Sequence, residues 1–177
     1  MLGKRVGKTT GWLAYSLAYA DRQYEFVNNG RPYPYKYDRR HDLKVAFSHR
    51  IQDWIEISAN WIFSSGFAFS LPAEKYDIIL PGPGEPPITV IEYGSKNAYR
   101  MPPYHRLDLG ANFYFNTDRV HHTINVGVYN LYNRRNPLYY DLRNHYEEEE
   151  GQIQLKKEFV PVSIIPMMPS LNYSVKF

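Results

Sequence analysis

LDLGANFYFNTDRVHHTINVGVYN, residues 107–130, alternates through two runs with a short break between them. In the first run Leu107, Leu109, Ala111, Phe113 and Phe115 take every second place, against Asp108, Gly110, Asn112, Tyr114 and Asn116. In the second, Ile124, Val126 and Val128 oppose Thr123, Asn125 and Gly127. A period of two sends successive side chains to opposite faces of a strand, so both runs read as half-buried β-strands. The connection NTDRVHH, 116–122, is short enough for an antiparallel hairpin.

The same pattern extends outward. Leu13, Tyr15, Leu17 and Tyr19 share a face, as do Leu43, Val45 and Phe47. Ile55, Ile57, Ala59, Trp61 and Phe63 oppose Glu56, Ser58, Asn60 and Ser64. Leu171, Tyr173, Val175 and Phe177 oppose Asn172, Ser174 and Lys176. Strands are expected at about 10–20, 41–51, 54–66, 104–116, 122–133 and 160–177, an all-β antiparallel meander of about six strands. The connections alternate in length. Those at 50–54 and 116–122 are short, whereas about 21–40, 67–103 and 134–159 are long. The long ones hold NNGRPYPYKYDRR (28–40), LPGPGEPP (80–87) and the acidic run Glu147 to Glu150.

Composition narrows the class. The chain has 177 residues and a formal net charge of +3, too mild to argue for nucleic acid. It has no cysteine, which excludes a disulfide framework and a thiolate metal site. Its 17 Tyr, 9 Phe and 3 Trp are an unusual aromatic load. Mean hydropathy is −0.53, and no apolar run approaches the length of a membrane helix. A membrane β-barrel survives that test, because its strands alternate. Long structureless loops count against a compact soluble domain. Short turns on one side and long loops on the other are the habit of transmembrane barrels. A soluble sandwich would use more Val, Ile and Leu and fewer Tyr on its inner faces. The start, MLGKRVGKTTGWLAYSLAYADRQ, shows no apolar secretory segment, so the chain is expected either to be soluble or to be the downstream piece of something longer.

Few residues suggest chemistry. His41, His49, His105, His121 and His122 lack ligand spacing, so neither metal nor cofactor is expected. Asp38 and Asp42 beside Arg39 and Arg40 read as a salt-bridge network where a long loop descends into a strand. Arg106 and Asp108 share the polar face and suit a pair there. Glu147 to Glu150 read as a solvated loop run. No nucleophile elbow, phosphate-binding glycine loop or catalytic carboxylate pair is present, so no enzyme is expected. Tyr33, Tyr35 and Tyr37, interleaved with Pro and Lys and followed by Arg39 and Arg40, are the ligand-contact candidates. Tyrosine offers a flat apolar body and a hydroxyl at low entropic cost, suited to a sugar, peptide or chelate. The plainer reading is an aromatic belt or loop packing. Tyr76, Tyr93, Tyr99, Tyr139 and Tyr140 are weaker candidates of the same kind.

Five segments together resemble the C-terminal part of a TonB-dependent outer-membrane receptor of the Bacteroidetes type. They are GRPYPYKYDRRHDLKVAFSHRI (30–51), WIEISANWIFSSGFAFSLP (54–72), YRMPPYHRLDLGANFYF (99–115), INVGVYNLYNRRNP (124–137) and PVSIIPMMPSLNYSVKF (161–177). The resemblance implies the last strands of a 22-stranded transmembrane β-barrel, with outer-membrane lipid as its surroundings. It implies uptake of a scarce nutrient, of unstated identity, driven by the TonB complex through an N-terminal plug outside these residues. It also implies that Leu171, Tyr173, Val175 and Phe177, alternating to a terminal aromatic, are the signal read by the barrel-assembly machinery. Six strands do not close a barrel, so the expected activity is that of a segment, in a truncated gene or a longer receptor. The alternatives are a soluble Tyr-rich β-sandwich binding module and a small structural outer-membrane protein that closes by oligomerising.

Overall fold

The computed structural model describes residues 1–78, 88–149 and 152–177, without the side chains of 73–77, 89, 91, 93, 144–145, 149 and 152–157. LPGPGEPP and Glu150 therefore lie outside the described residues, as do the side chains of Tyr76 and Tyr93. The chain is all-β and divides into two compact units. The first comprises Met1–Tyr15, Asp42–Ser64 and Pro102–Phe177, and the second Ser16–His41 and Ser65–Met101.

The first unit is built on a seven-stranded antiparallel sheet. Its strands are β1 (Leu2–Lys4), β2 (Thr9–Leu17), β3 (His41–Gln52), β4 (Ile55–Ser64), β5 (Tyr104–Thr117), β6 (Val120–Tyr129) and β7 (Met168–Lys176). Their spatial order is their chain order. Each strand thus pairs with the next, the topology that short hairpins favour. The meander has one strand more than the period-two pattern showed, because three residues of β1 are too few to display a period. The final strand begins at Met168, not near 160. Residues up to Val162 belong instead to a hairpin of Tyr139–Glu149 with Gln152–Val162 inside the last long connection. A second such hairpin, Pro72–Ile78 with Ile88–Tyr93, lies in the middle connection. The long connections therefore contain strands of their own.

Cross-strand register fixes the faces. On one face Phe47, Ala59, Leu109, Val128 and Pro169 form a row, and His49, Ile57, Ala111, Val126 and Leu171 the next. Nearer the short turns, Ile55, Phe113, Ile124 and Tyr173 line up. Aromatic rings gather at both ends of this face. Trp61 stacks near Phe63 at 6.1 Å, Trp54 near Phe113 at 6.3 Å, and His122 on Tyr173 at 6.0 Å. His49 is reconciled to the apolar face by the Thr9 hydroxyl, 2.7 Å from its Nδ1.

The other face is polar and low. Ser48, Ser58, Gly110, Gly127 and Ser170 make one row of minimal side chains. A Cβ on Gly110 or Gly127 would stand 2.8 Å from a serine Oγ, so the serine hydroxyl would have to turn aside to admit one. In the next row the Asn125 amide donates to Asn112 Oδ1 at 2.7 Å, and the Asn172 amide donates to Asn125 Oδ1 at 3.5 Å.

The apolar face is uncovered. Among the described residues the buried apolar side chains are Tyr33, Ala68 and Met101, and none belongs to the seven-stranded sheet. Mid-sheet Leu109, Val126 and Leu171 are 41%, 43% and 72% exposed. A contiguous exposed apolar patch marks a surface that contacts protein or membrane.

Candidate functional site

The second unit holds the tyrosine candidates. Asp21–Arg22 pairs with Tyr33–Pro34, and the chain turns between them through Asn28 and Asn29, both left-handed at φ 56° and 55°. Asparagine tolerates that conformation, which explains the NNG sequence at this point. Ala68–Phe69 pairs with Tyr99–Arg100, and the rings of Phe69 and Tyr99 lie 6.2 Å apart. Gly66 permits the close approach of the two arms. A Cβ there would fall 1.6 Å from the Met101 carbonyl oxygen. Asn97 fastens the unit: its side-chain amide donates to the Pro34 carbonyl at 2.8 Å, and its backbone N–H donates to Ser70 Oγ at 2.9 Å.

The sequence candidates separate into two roles. Tyr33 is 7% exposed and forms part of the small core of this unit. Tyr35 meets Tyr37 edge to face at 5.5 Å and carries the Arg22 guanidinium 3.9 Å above its ring. Tyr37 is 64% exposed, with the Lys36 ammonium 5.6 Å from its ring centre. Arg39 lies 5.8 Å over the Phe67 ring and Arg40 5.0 Å over Tyr19. Tyr35, Tyr37, Arg39 and Arg40 thus belong to an alternation of cations and aromatic faces, an arrangement that suits planar or anionic groups. A cavity of about 250 Å³ in the same unit is lined by Asn28, Ser70, Gly94 and Lys96.

The Asp38 side chain is 2% exposed, and its main partner is Arg100. Arg100 donates to the Asp38 carboxylate, to the Asp38 carbonyl at 2.9 Å and to the Gly66 carbonyl at 3.2 Å. The Ala20 N–H donates to Asp38 Oδ1 at 3.0 Å, and Arg40 Nε lies 3.8 Å from Oδ2. Burial alone raises a carboxyl pKa. Here the Arg100 hydrogen bond, the Ala20 N–H and the charges of Arg100 and Arg40 outweigh it, and Asp38 is held below the ordinary carboxylate value. Of the network expected among Asp38, Asp42, Arg39 and Arg40, the Asp38–Arg40 pair is seen, and the principal cation of Asp38 comes from a distant segment that spacing could not reveal. Asp42 pairs instead with Lys44 at 3.1 Å and accepts from the Ser64 hydroxyl at 2.7 Å.

In the first unit Arg106 and Asp108 do pair, at 2.9 Å. The Arg106 guanidinium also donates to the hydroxyls of Tyr104 and Tyr129 and stacks 3.9 Å above the Tyr129 ring. Asp108 accepts the Asn130 N–H at 2.9 Å. That N–H begins a knot made by VYNLYNRRNP. Asn130 and Asn133 are left-handed, at φ 55° and 51°, which ends β6 at Tyr129. Asn130 is 1% exposed; its amide donates to the Arg134 and Ile165 carbonyls, and its oxygen accepts the Arg134 N–H. The Asn136 side chain imitates a strand neighbour. It accepts the His105 N–H at 3.1 Å and donates to the His105 carbonyl at 2.9 Å. Replacing Asn136 with Ala leaves both groups unmet by protein, with an expected loss of about 1–3 kcal/mol in urea denaturation. An unchanged midpoint would deny the knot that role.

The histidines are dispersed. His105 Nδ1 is 2.8 Å from the Tyr132 hydroxyl, His121 Nδ1 2.8 Å from Asn116 and His122 Nδ1 2.7 Å from the Tyr173 hydroxyl. Among the described residues no three His, Asp or Glu side chains group as a metal site. Leu171, Tyr173 and Val175 stand on the apolar face of β7, and Phe177 is 95% exposed just beyond it. A scan against family models, a search of curated proteins and a search of solved structures each returned no match.

Proposed function

We propose that the chain is the C-terminal portion of a TonB-dependent outer-membrane receptor that takes up a scarce nutrient. The observation that carries this reading is the uncovered apolar face of the seven-stranded meander, aliphatic in its middle rows apart from Phe47 and His49 and aromatic at both ends. Ten strand residues, at about 3.3 Å each and a tilt near 40°, rise about 25 Å, the height of a barrel's lipid-facing band. β4 and β6 have that length at 10 residues each. The opposite face carries serine, glycine and linked asparagines, as suits a wet lumen. A bilayer does not tolerate unpaired strand edges. The outer edges of β1 and β7 would therefore pair with further strands of the same barrel.

In this proposal Tyr35, Tyr37, Arg39 and Arg40 belong to the outer surface that first meets the nutrient. The TonB complex acts elsewhere, on a plug outside these residues. Phe177 and the alternate apolar residues before it serve assembly. The test is fractionation of native cells, probed with an antibody to residues 139–149. A heat-modifiable band in the outer membrane, lowered when Phe177 is removed, is the expected result. A band in the soluble fraction, indifferent to Phe177, would overturn the proposal in favour of a soluble binding module.

A further inference from the structure

The charge of the chain is not spread evenly over the first unit. In an antiparallel meander the connections 5–8, 53–54 and 118–119 leave the sheet at one end, and Lys176 lies at that end beside His121. This end carries Lys4, Arg5, Lys8, Arg50, Arg119 and Lys176. Its acidic residues are Asp53, Glu56 and Asp118. Six cations against three carboxylates equal the whole formal excess of three positive charges, so the other side chains sum to neutrality. Arg50 is paired with Glu56 at 3.6 Å. Among the described residues the other five cations form no ion pair, and all five are exposed.

The same end of the sheet carries the rings of Trp54, Phe113, His122 and Tyr173. Rings of that kind sit at headgroup level. A cation one turn beyond them lies in the plane of lipid phosphates, where each Lys or Arg adds attraction for an anionic surface. We propose that the short-turn end of the sheet is a docking collar for anionic phospholipid headgroups. This rests on the membrane reading above and adds to it the lipid class and the end of the strands that meets it. The unpaired state of these cations fits the same role, since Arg5, Lys8 and Arg119 lie in the turns with no carboxylate among the described residues to satisfy them.

The test compares binding of the full chain, diluted from urea, to phosphatidylcholine vesicles with and without phosphatidylglycerol. Three proteins are used: the native chain, a collar variant (Arg5→Gln, Lys8→Gln, Arg119→Gln) and a control (Arg31→Gln, Lys96→Gln, Arg135→Gln). The control removes equal charge from exposed cations of the long connections. Phosphatidylglycerol should strengthen binding of the native chain and the control. The collar variant should lose on the order of fivefold in partitioning per cation, roughly 100-fold in all at low salt, and the loss should shrink as salt is raised. Equal losses in collar variant and control would overturn the collar. Binding indifferent to phosphatidylglycerol would overturn the collar and leave the membrane reading standing. A chain that folds in solution and binds neither vesicle would remove the membrane reading itself.

Discussion

If the apolar face meets lipid as proposed, arginine at Val126 should lower the stability of the sheet in a bilayer by about 2–4 kcal/mol, whereas arginine at Asn172 should leave it nearly unchanged. The two positions are close in the fold: Val126 pairs with Leu171, the neighbour of Asn172. They differ in face. Val126 stands in a middle row of the apolar face between Ala111 and Leu171, and Asn172 on the polar face opposite Asn125. A guanidinium on the lipid side at that depth must snorkel or thin the bilayer, and on the other side it remains hydrated. Depth supplies a second contrast. Phe113 lies in the turn-end row with Ile55 and Ile124, so arginine there should cost about 0–1 kcal/mol for lipid contact, plus the loss of its stacking on Trp54. Urea titration of the chain in phosphatidylcholine vesicles measures all three. Equal costs at Val126 and Asn172 would mean that neither face meets lipid.

The faces were legible in the sequence because a strand's side-chain period is a local property. Leu107 to Phe115 and Ile124 to Val128 alternate as written, and register only had to align them. The seventh strand escaped because Leu2–Lys4 is shorter than two periods. The last strand was misplaced at its start because Val160 and Val162 alternate as well as Leu171 and Tyr173 do, and periodicity does not say which partner a strand takes. The site was less legible. Tyr33, Tyr35 and Tyr37 look equivalent in sequence, yet the first is buried and the last exposed. Arg100, Asn97 and Asn136 act across separations of 62, 63 and 31 residues, which no local pattern encodes. A weak signal did exist for Asn130 and Asn133. Asparagine where an alternating run stops often marks a left-handed residue, and both are.

Removing Arg100 should open the second unit. Asp38 is 2% exposed and would be left as a buried carboxylate with only the Ala20 N–H and a distant Arg40. Breaking such a pair from one side costs about 3–5 kcal/mol. Arg100 is itself 30% exposed, so the lower figure is expected. At about 3 kcal/mol, amide exchange in 16–41 and 65–78 should accelerate on the order of 100-fold in Arg100→Ala, with the sheet amides of β4 to β6 unaffected. The pH dependence follows from the lowered pKa of Asp38. A carboxyl whose folded pKa is depressed adds stability that is complete above its unfolded value, near 4, and is lost as pH falls through the folded value. Protection of the second unit should therefore decline below about pH 4. Asp38→Asn should lack that decline, having no proton to take up there, while Glu25→Gln, exposed and outside the clamp, should keep it. If Asp38→Asn and the native chain lost protection along the same acid curve, the clamp would not be what holds the two connections together.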